Sequence, residues 1–115
     1  MAFAVEVATF YSGPDHMDVP PHLFSLSQIE NDVTQHFFSK LASQYDVREE
    51  LASIDLPALV VVGSWDWVVP PSRGRELARG LTLAELLELS TAGHFAFYEE
   101  HEAFLTAARR LLASV

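Results

Sequence analysis

The 115-residue chain is long enough for one small domain with a core of its own, and half of its residues are apolar, which excludes an intrinsically disordered chain. Sixteen acids against seven bases give a formal charge of −9 and a pI near 4.8, so neither nucleic acid nor an anionic membrane face is expected as a partner. With no cysteine, disulfide scaffolds, thiolate metal sites and cysteine nucleophiles are excluded.

The chain opens on "MAFAVEVATFYSG", which has no basic n-region and carries Glu6 inside its apolar stretch, a poor secretory signal. No run approaches the roughly 18 apolar residues of a membrane span, so a cytoplasmic location and no membrane are expected. Over Met1 to Tyr11, Phe3, Val5 and Val7 alternate as in a strand, while Phe3, Val7 and Tyr11 recur at helical spacing; the balance leans to helix. Residues 12–22, "SGPDHMDVPPH", hold three prolines and a glycine and read as loop. Leu26, Ile29, Val33, Phe37 and Leu41 then step by three or four, and Ser27 with Glu30 fits a capping box, so a helix follows with Phe37 and Phe38 on its buried face. Asp46 with Glu49 fits the same box for a short helix, "DVREELASI", ended by Pro57.

Beyond residue 56 strand and helix signals alternate. "ALVVVG" is a β-branched run bounded by Pro57 and Gly63, the pattern of a strand covered on both faces. "PPSRGRELARG" reads as a helix with Pro71 near its first turn and Gly80 at its stop. "LAELLELS" has helix-favouring composition, but it is short, lies between turn signals and completes a strand–helix–strand unit, so it reads as a second strand. A last helix spans about Glu99 to Ala113, with Phe104, Ala108, Leu111 and Leu112 on one face, and Glu99, Glu100 and Glu102 in its first turn, where the dipole favours acids. The fold class is therefore α/β: a βαβα unit with parallel strands at about 58–63 and 83–89 and a right-handed crossover, preceded by a helical segment.

In such sheets, ligands and catalytic groups gather outside the carboxyl ends of the strands. Asp66 lies three residues past Gly63, and His94 lies beyond the second strand after a glycine that permits a tight turn. Taken singly, Asp66 reads as a turn or capping acid and His94 as a loop histidine. Together, an acid that accepts from one imidazole nitrogen leaves the other to take a proton from a nucleophile.

The stretch from Leu51 onward, "LASIDLPALVVVGSWDWVVPPSRGRELARGL…AELLELSTAGHFAFYEEHEAFLTAARRLL", resembles the C-terminal portion of α/β-hydrolase-fold enzymes, above all the proline iminopeptidase-like and related esterase and amidase branch. In that family the acid follows one strand in a "GxxDxxxP" context and the histidine sits in "GH" after the next, positions that Asp66 and His94 match. The resemblance implies that residues 51–115 belong to the hydrolase core and residues 1–50 to a helical lid-like segment. It implies an ester, amide or peptide substrate, with Asp66 and His94 catalytic and Trp65, Trp67 and Phe95 as substrate-binding candidates. Core packing is the simpler reading for at least one tryptophan.

The family's "GxSxG" nucleophile motif and its "HGGG"-type loop do not occur. "YSGP" at Ser12 lacks the first glycine, and Ser64 sits beside the acid rather than on an elbow. The nucleophile is thus expected from another polypeptide, and the chain alone is expected to be inactive. A strand such as "ALVVVG" that loses a neighbour presents unpaired backbone groups, so a homo-oligomer or a complementing chain is expected at that edge. The alternative is a non-catalytic self-associating or partner-binding module. Asp15, His16, Asp18 and His22 supply metal-ligand atoms, but Pro20 and Pro21 and the lack of a frame make a poor site, so neither metal nor cofactor is expected.

Overall fold

The structure is a computed structural model that describes residues 2–115; Met1, at the head of the first expected helix, lies outside the described residues. Strand β1 (Ala58–Gly63) pairs in parallel with β2 (Ala84–Leu89), in register from Ala58 opposite Ala84 to Gly63 opposite Leu89. Helix α4 (Pro71–Gly80) connects them, with Pro71 in its first turn, where the missing N–H has no intrahelical partner to lose. Helices α5 (Ala96–Glu99) and α6 (His101–Ala113) follow β2. Among the described residues this sheet has two strands, so one edge of β1 has no neighbour.

Side chains on a strand alternate between faces, and both faces of this sheet are used. Val60 and Val62 meet α4 at Gly74, where a Cβ would lie 2.0 Å from Val62 Cγ1. Val61, Leu87 and Leu89 pack instead against Ala92 and Ala96 at the start of α5. Helix α6 buries Ala107, with Phe104, Ala108 and Leu111 half-buried, whereas Leu112 points to solvent.

The N-terminal half departs from expectation in three places. Helix α1 (Ala2–Tyr11) forms as the helical spacing predicts, but the expected loop over 12–22 contains a 3₁₀ turn at Pro14–His16 and the start of helix α2 (Val19–Leu26). Pro20 and Pro21 fall in the first turn of α2, which tolerates proline, so they begin this helix rather than exclude one. Ser27, expected as an N-cap, is the C-cap of α2, and the next helix, α3, runs only from Asn31 to His36 before a π-helical turn at Phe37–Leu41. The expected stripe is divided, with Leu26 in α2, Ile29 between helices, Val33 in α3 and Phe37, Phe38 and Leu41 in the π-helical turn, and these side chains stay exposed, Phe38 at 69%. The segment "DVREELASI" becomes a 3₁₀ helix at Arg48–Ser53: Asp46 accepts from the Arg48 N–H and guanidinium instead of forming the expected box with Glu49.

Candidate active site

Two short loops leave the carboxyl ends of β1 and β2 side by side, and they are stitched together by backbone bonds. Ser64 N–H donates to Leu89 O at 3.0 Å, and Trp65 N–H donates to Ala92 O at 2.9 Å. The crossing needs glycines: a Cβ on Gly63 would lie 2.1 Å from Gly93 O, and one on Gly93 would lie 2.5 Å from Ser12 Cα. Gly93 does not adopt a positive φ, so its value here is close approach rather than the tight turn expected from the sequence.

The N-terminal segment closes the rim from the other side. The carbonyls of Phe10 and Tyr11, at the end of α1, accept from Trp67 N–H at 3.1 Å and His94 N–H at 2.6 Å. Carbonyls in the last turn of a helix have no partner within it, so they are free to hold both loops.

On this frame His94 Nδ1 stands 2.9 Å from Asp66 Oδ2. The Asp66 side chain is 11% exposed and that of His94 31% exposed. Asp66 Oδ1 accepts from Val68 N–H at 2.9 Å and Val69 N–H at 2.8 Å, which leaves Oδ2 to the imidazole. The ring also packs edge-on against Tyr11 at 5.5 Å and Phe95 at 5.4 Å, and Phe24 joins the same aromatic cluster. With Nδ1 engaged by a carboxylate, Nε2 is the nitrogen available to exchange a proton with another group.

The flanking residues are distributed unevenly. Phe95 is half-buried beside His94, whereas Trp65 and Trp67 are 43% and 64% exposed, so neither tryptophan packs in the core as expected. Trp65 lies across the loops, its indole N–H donating to Ser90 O at 3.1 Å. Ser12 is buried and its hydroxyl donates to Ala8 O at 3.0 Å, an arrangement unlike that of an exposed nucleophile. Among the described residues, no group of acids and histidines is arranged to hold a metal ion, and Asp15, His16, Asp18 and His22 do not converge.

Glu99 was missed by sequence reasoning. It is a buried carboxylate, 8% exposed, not a solvated helix-start acid: Oε2 accepts from Gly13 N–H and Gly93 N–H, both at 2.9 Å, and Oε1 from Phe95 N–H at 3.1 Å. A groove of about 310 Å³ between β1 and α4, lined by Val60, Val62, Val69 and Gly74, includes Asp66. A larger cavity of about 550 Å³ lies at Tyr45, Leu51, Leu77 and Gly80 and holds neither Asp66 nor His94. Its charges are paired with one another, Arg48 with Asp46 and Glu76, and Arg73 with Glu76.

Parallel strands joined by a helix, with an acid and a histidine meeting at their carboxyl ends, define part of a hydrolase-type α/β unit. The sequence profile of the alpha/beta hydrolase fold family matches residues 3–101, and the chain belongs to that family. It is similar to the AB hydrolase superfamily protein YisY of Bacillus subtilis, 44% identical over 57 residues, covering 50% of this chain and 21% of that protein. Proline iminopeptidase PfmaB of Pestalotiopsis fici is 31% identical over 65 residues, covering 56% of this chain and 23% of that protein. The crystal structure of an enol-lactonase from Burkholderia xenovorans superposes with a TM-score of 0.75 at 28% identity, over 97% of this chain and 44% of the other. The chain thus spans about a quarter of the length of the curated relatives it matches, and it corresponds to a C-terminal portion of the fold.

Proposed function

We propose that this chain contributes the acid and the general base of an α/β-hydrolase site that cleaves an ester, amide or peptide bond, with a nucleophile supplied by a polypeptide segment outside the chain. The observation that carries this reading is the 2.9 Å contact between His94 Nδ1 and Asp66 Oδ2 at the carboxyl ends of two parallel strands. In this mechanism Asp66 accepts the Nδ1–H bond, fixes the tautomer and stabilises the imidazolium that forms. His94 Nε2 takes the proton of the attacking hydroxyl and returns it to the leaving group. Trp65, Trp67 and Phe95 flank the pair as substrate-binding candidates, and residues 1–50 act as a lid-like segment over a core of residues 51–115. Similarity to a proline iminopeptidase and an enol-lactonase supports hydrolysis at an acyl carbon. Mixing this chain with an N-terminal hydrolase segment that carries "GxSxG" is expected to give turnover of a simple ester, lost on His94→Ala. Turnover that survives His94→Ala, or none from any such mixture, rejects the reading.

A second reading, a self-associating module without catalysis, is favoured by one observation, the unpartnered edge of β1 among the described residues. Light scattering on the isolated chain tests it.

A further inference from the structure

We infer that Glu99 is a positioning residue for His94, tying the histidine loop to the turn at Gly13 so that the imidazole stays on Asp66; this rests on the acid–base reading of that pair. Glu99 carries the one buried carboxylate in the described structure whose two oxygens both meet backbone N–H groups of the site loops. Its donors come from both ends of the chain, Gly13 lying 86 positions away and Gly93 six.

The N–H groups of Gly93 and Phe95 flank His94, and both end on Glu99, while the His94 N–H between them ends on Tyr11 O. Three successive N–H groups are therefore held, and the imidazole leaves from a backbone fixed on either side. Tyr11 and Gly13 belong to the same short stretch, so one carboxylate and one carbonyl lock that stretch and the histidine loop into a single unit. An ionised carboxylate suits the task because it only accepts, with lone pairs enough for three donors and charge-assisted bonds to each. An amide would place an NH₂ group against one of these N–H donors. A ring displaced by an ångström or less would lose its alignment with both the acid and the nucleophile.

The test reads the imidazole itself, by ¹⁵N and ¹H NMR of the full chain labelled at histidine. In the native protein His94 is expected to show an Nδ1–H resonance protected from solvent. In Glu99→Gln, with far-UV circular dichroism unchanged, that proton should exchange about tenfold faster and the Nδ1–H tautomer should lose population, as one lost bond predicts. Leu51→Ala, a buried change beside Gly80 and outside the site loops, serves as the comparison, since it lowers stability without altering these bonds. A His94 signature that responds no more to Glu99→Gln than to Leu51→Ala overturns the inference. If Glu99→Gln does not fold, Glu99→Asp keeps the charge on a shorter arm, and a native His94 signature in that variant overturns it as well. Asp66→Asn separates the two proposals: it should abolish the Nδ1–H signature. A signature dependent on Asp66 but blind to Glu99 sinks the positioning role alone, and one blind to Asp66 sinks the acid–base pair and this inference with it.

Discussion

Three carboxylates in this chain differ chiefly in what their oxygens meet. Asp66 divides its two between backbone N–H groups and an imidazole, which orients one oxygen toward a partner that can change charge. Glu99 gives both to backbone N–H groups and becomes part of the frame. Asp46 stands in solvent and grips a guanidinium: the Arg48 side chain, then its backbone N–H, hold the Asp46 carboxyl down from its ordinary 3.8 to about 2. Because the folded-state value is lowered, the contribution to stability is complete above pH 4 and disappears as pH falls from about 4 to about 2. The side chain is exposed, so water and salt screen the pair and the effect on stability is small. A ¹³C titration of Asp46 is expected to show a midpoint near 2, rising toward the ordinary value in Arg48→Ala. A midpoint that does not respond to loss of Arg48 would contradict this account.

At the scale of elements, the site depends on how closely two loops can cross. β-Branched residues make β1 a strand, but Gly63 at its end lets the loop pass over Gly93, and the α1 carbonyls bind both. Gly63→Ala places a methyl group 2.1 Å from Gly93 O, a backbone atom that cannot move without its loop. A loss of about 1–3 kcal/mol is expected in urea unfolding, as for overpacking elsewhere, together with weaker pairing of Asp66 and His94. Native stability in that variant would show that the loops are less constrained than their geometry indicates. The helical N-terminal half obeys looser rules. Prolines that read as loop open α2 because the first turn of a helix does not use their missing N–H groups. The apolar stripe expected of one helix from Leu26 to Leu41 is broken between α2, α3 and the π-helical turn, and periodicity in any case says only which face is apolar and not whether anything covers it.

Across the whole molecule, too much surface is left over. The accessible surface is 8418 Å², against about 6,300 Å² for a compact monomer of this mass. The radius of gyration is 15.8 Å, where about 13 Å is typical of a domain of this length. The difference of roughly 2,000 Å² on one chain exceeds the roughly 800 Å² per partner of a standard interface and is of the size that obligate associations bury. It agrees with a chain that spans about a quarter of its curated relatives and whose two-stranded sheet, among the described residues, leaves the outer edge of β1 open. Light scattering on the isolated chain is expected to give a mass of at least twice 12.8 kDa at tens of micromolar, replaced by a one-to-one complex when a complementing segment is added. A strict monomer that takes up no such segment would remove the case for a partner at that edge.

The sequence by itself determined the parallel βαβα unit, the order in which the acid and the histidine occur, and membership of a hydrolase-type fold. These follow from local signals: β-branched runs, turn residues, helix stops and two short motifs read at fixed spacing. Only the tertiary structure decided which carboxylate is buried, since Glu99, Glu100 and Glu102 are alike in sequence and differ in what packs over them. It alone decided that Phe10 and Tyr11 hold the site, because their contribution is made by backbone carbonyls that every residue possesses. The exposure of Val33, Phe37, Phe38 and Leu41 was likewise settled in three dimensions, because burial depends on a neighbour and the local sequence carries no record of whether that neighbour is there.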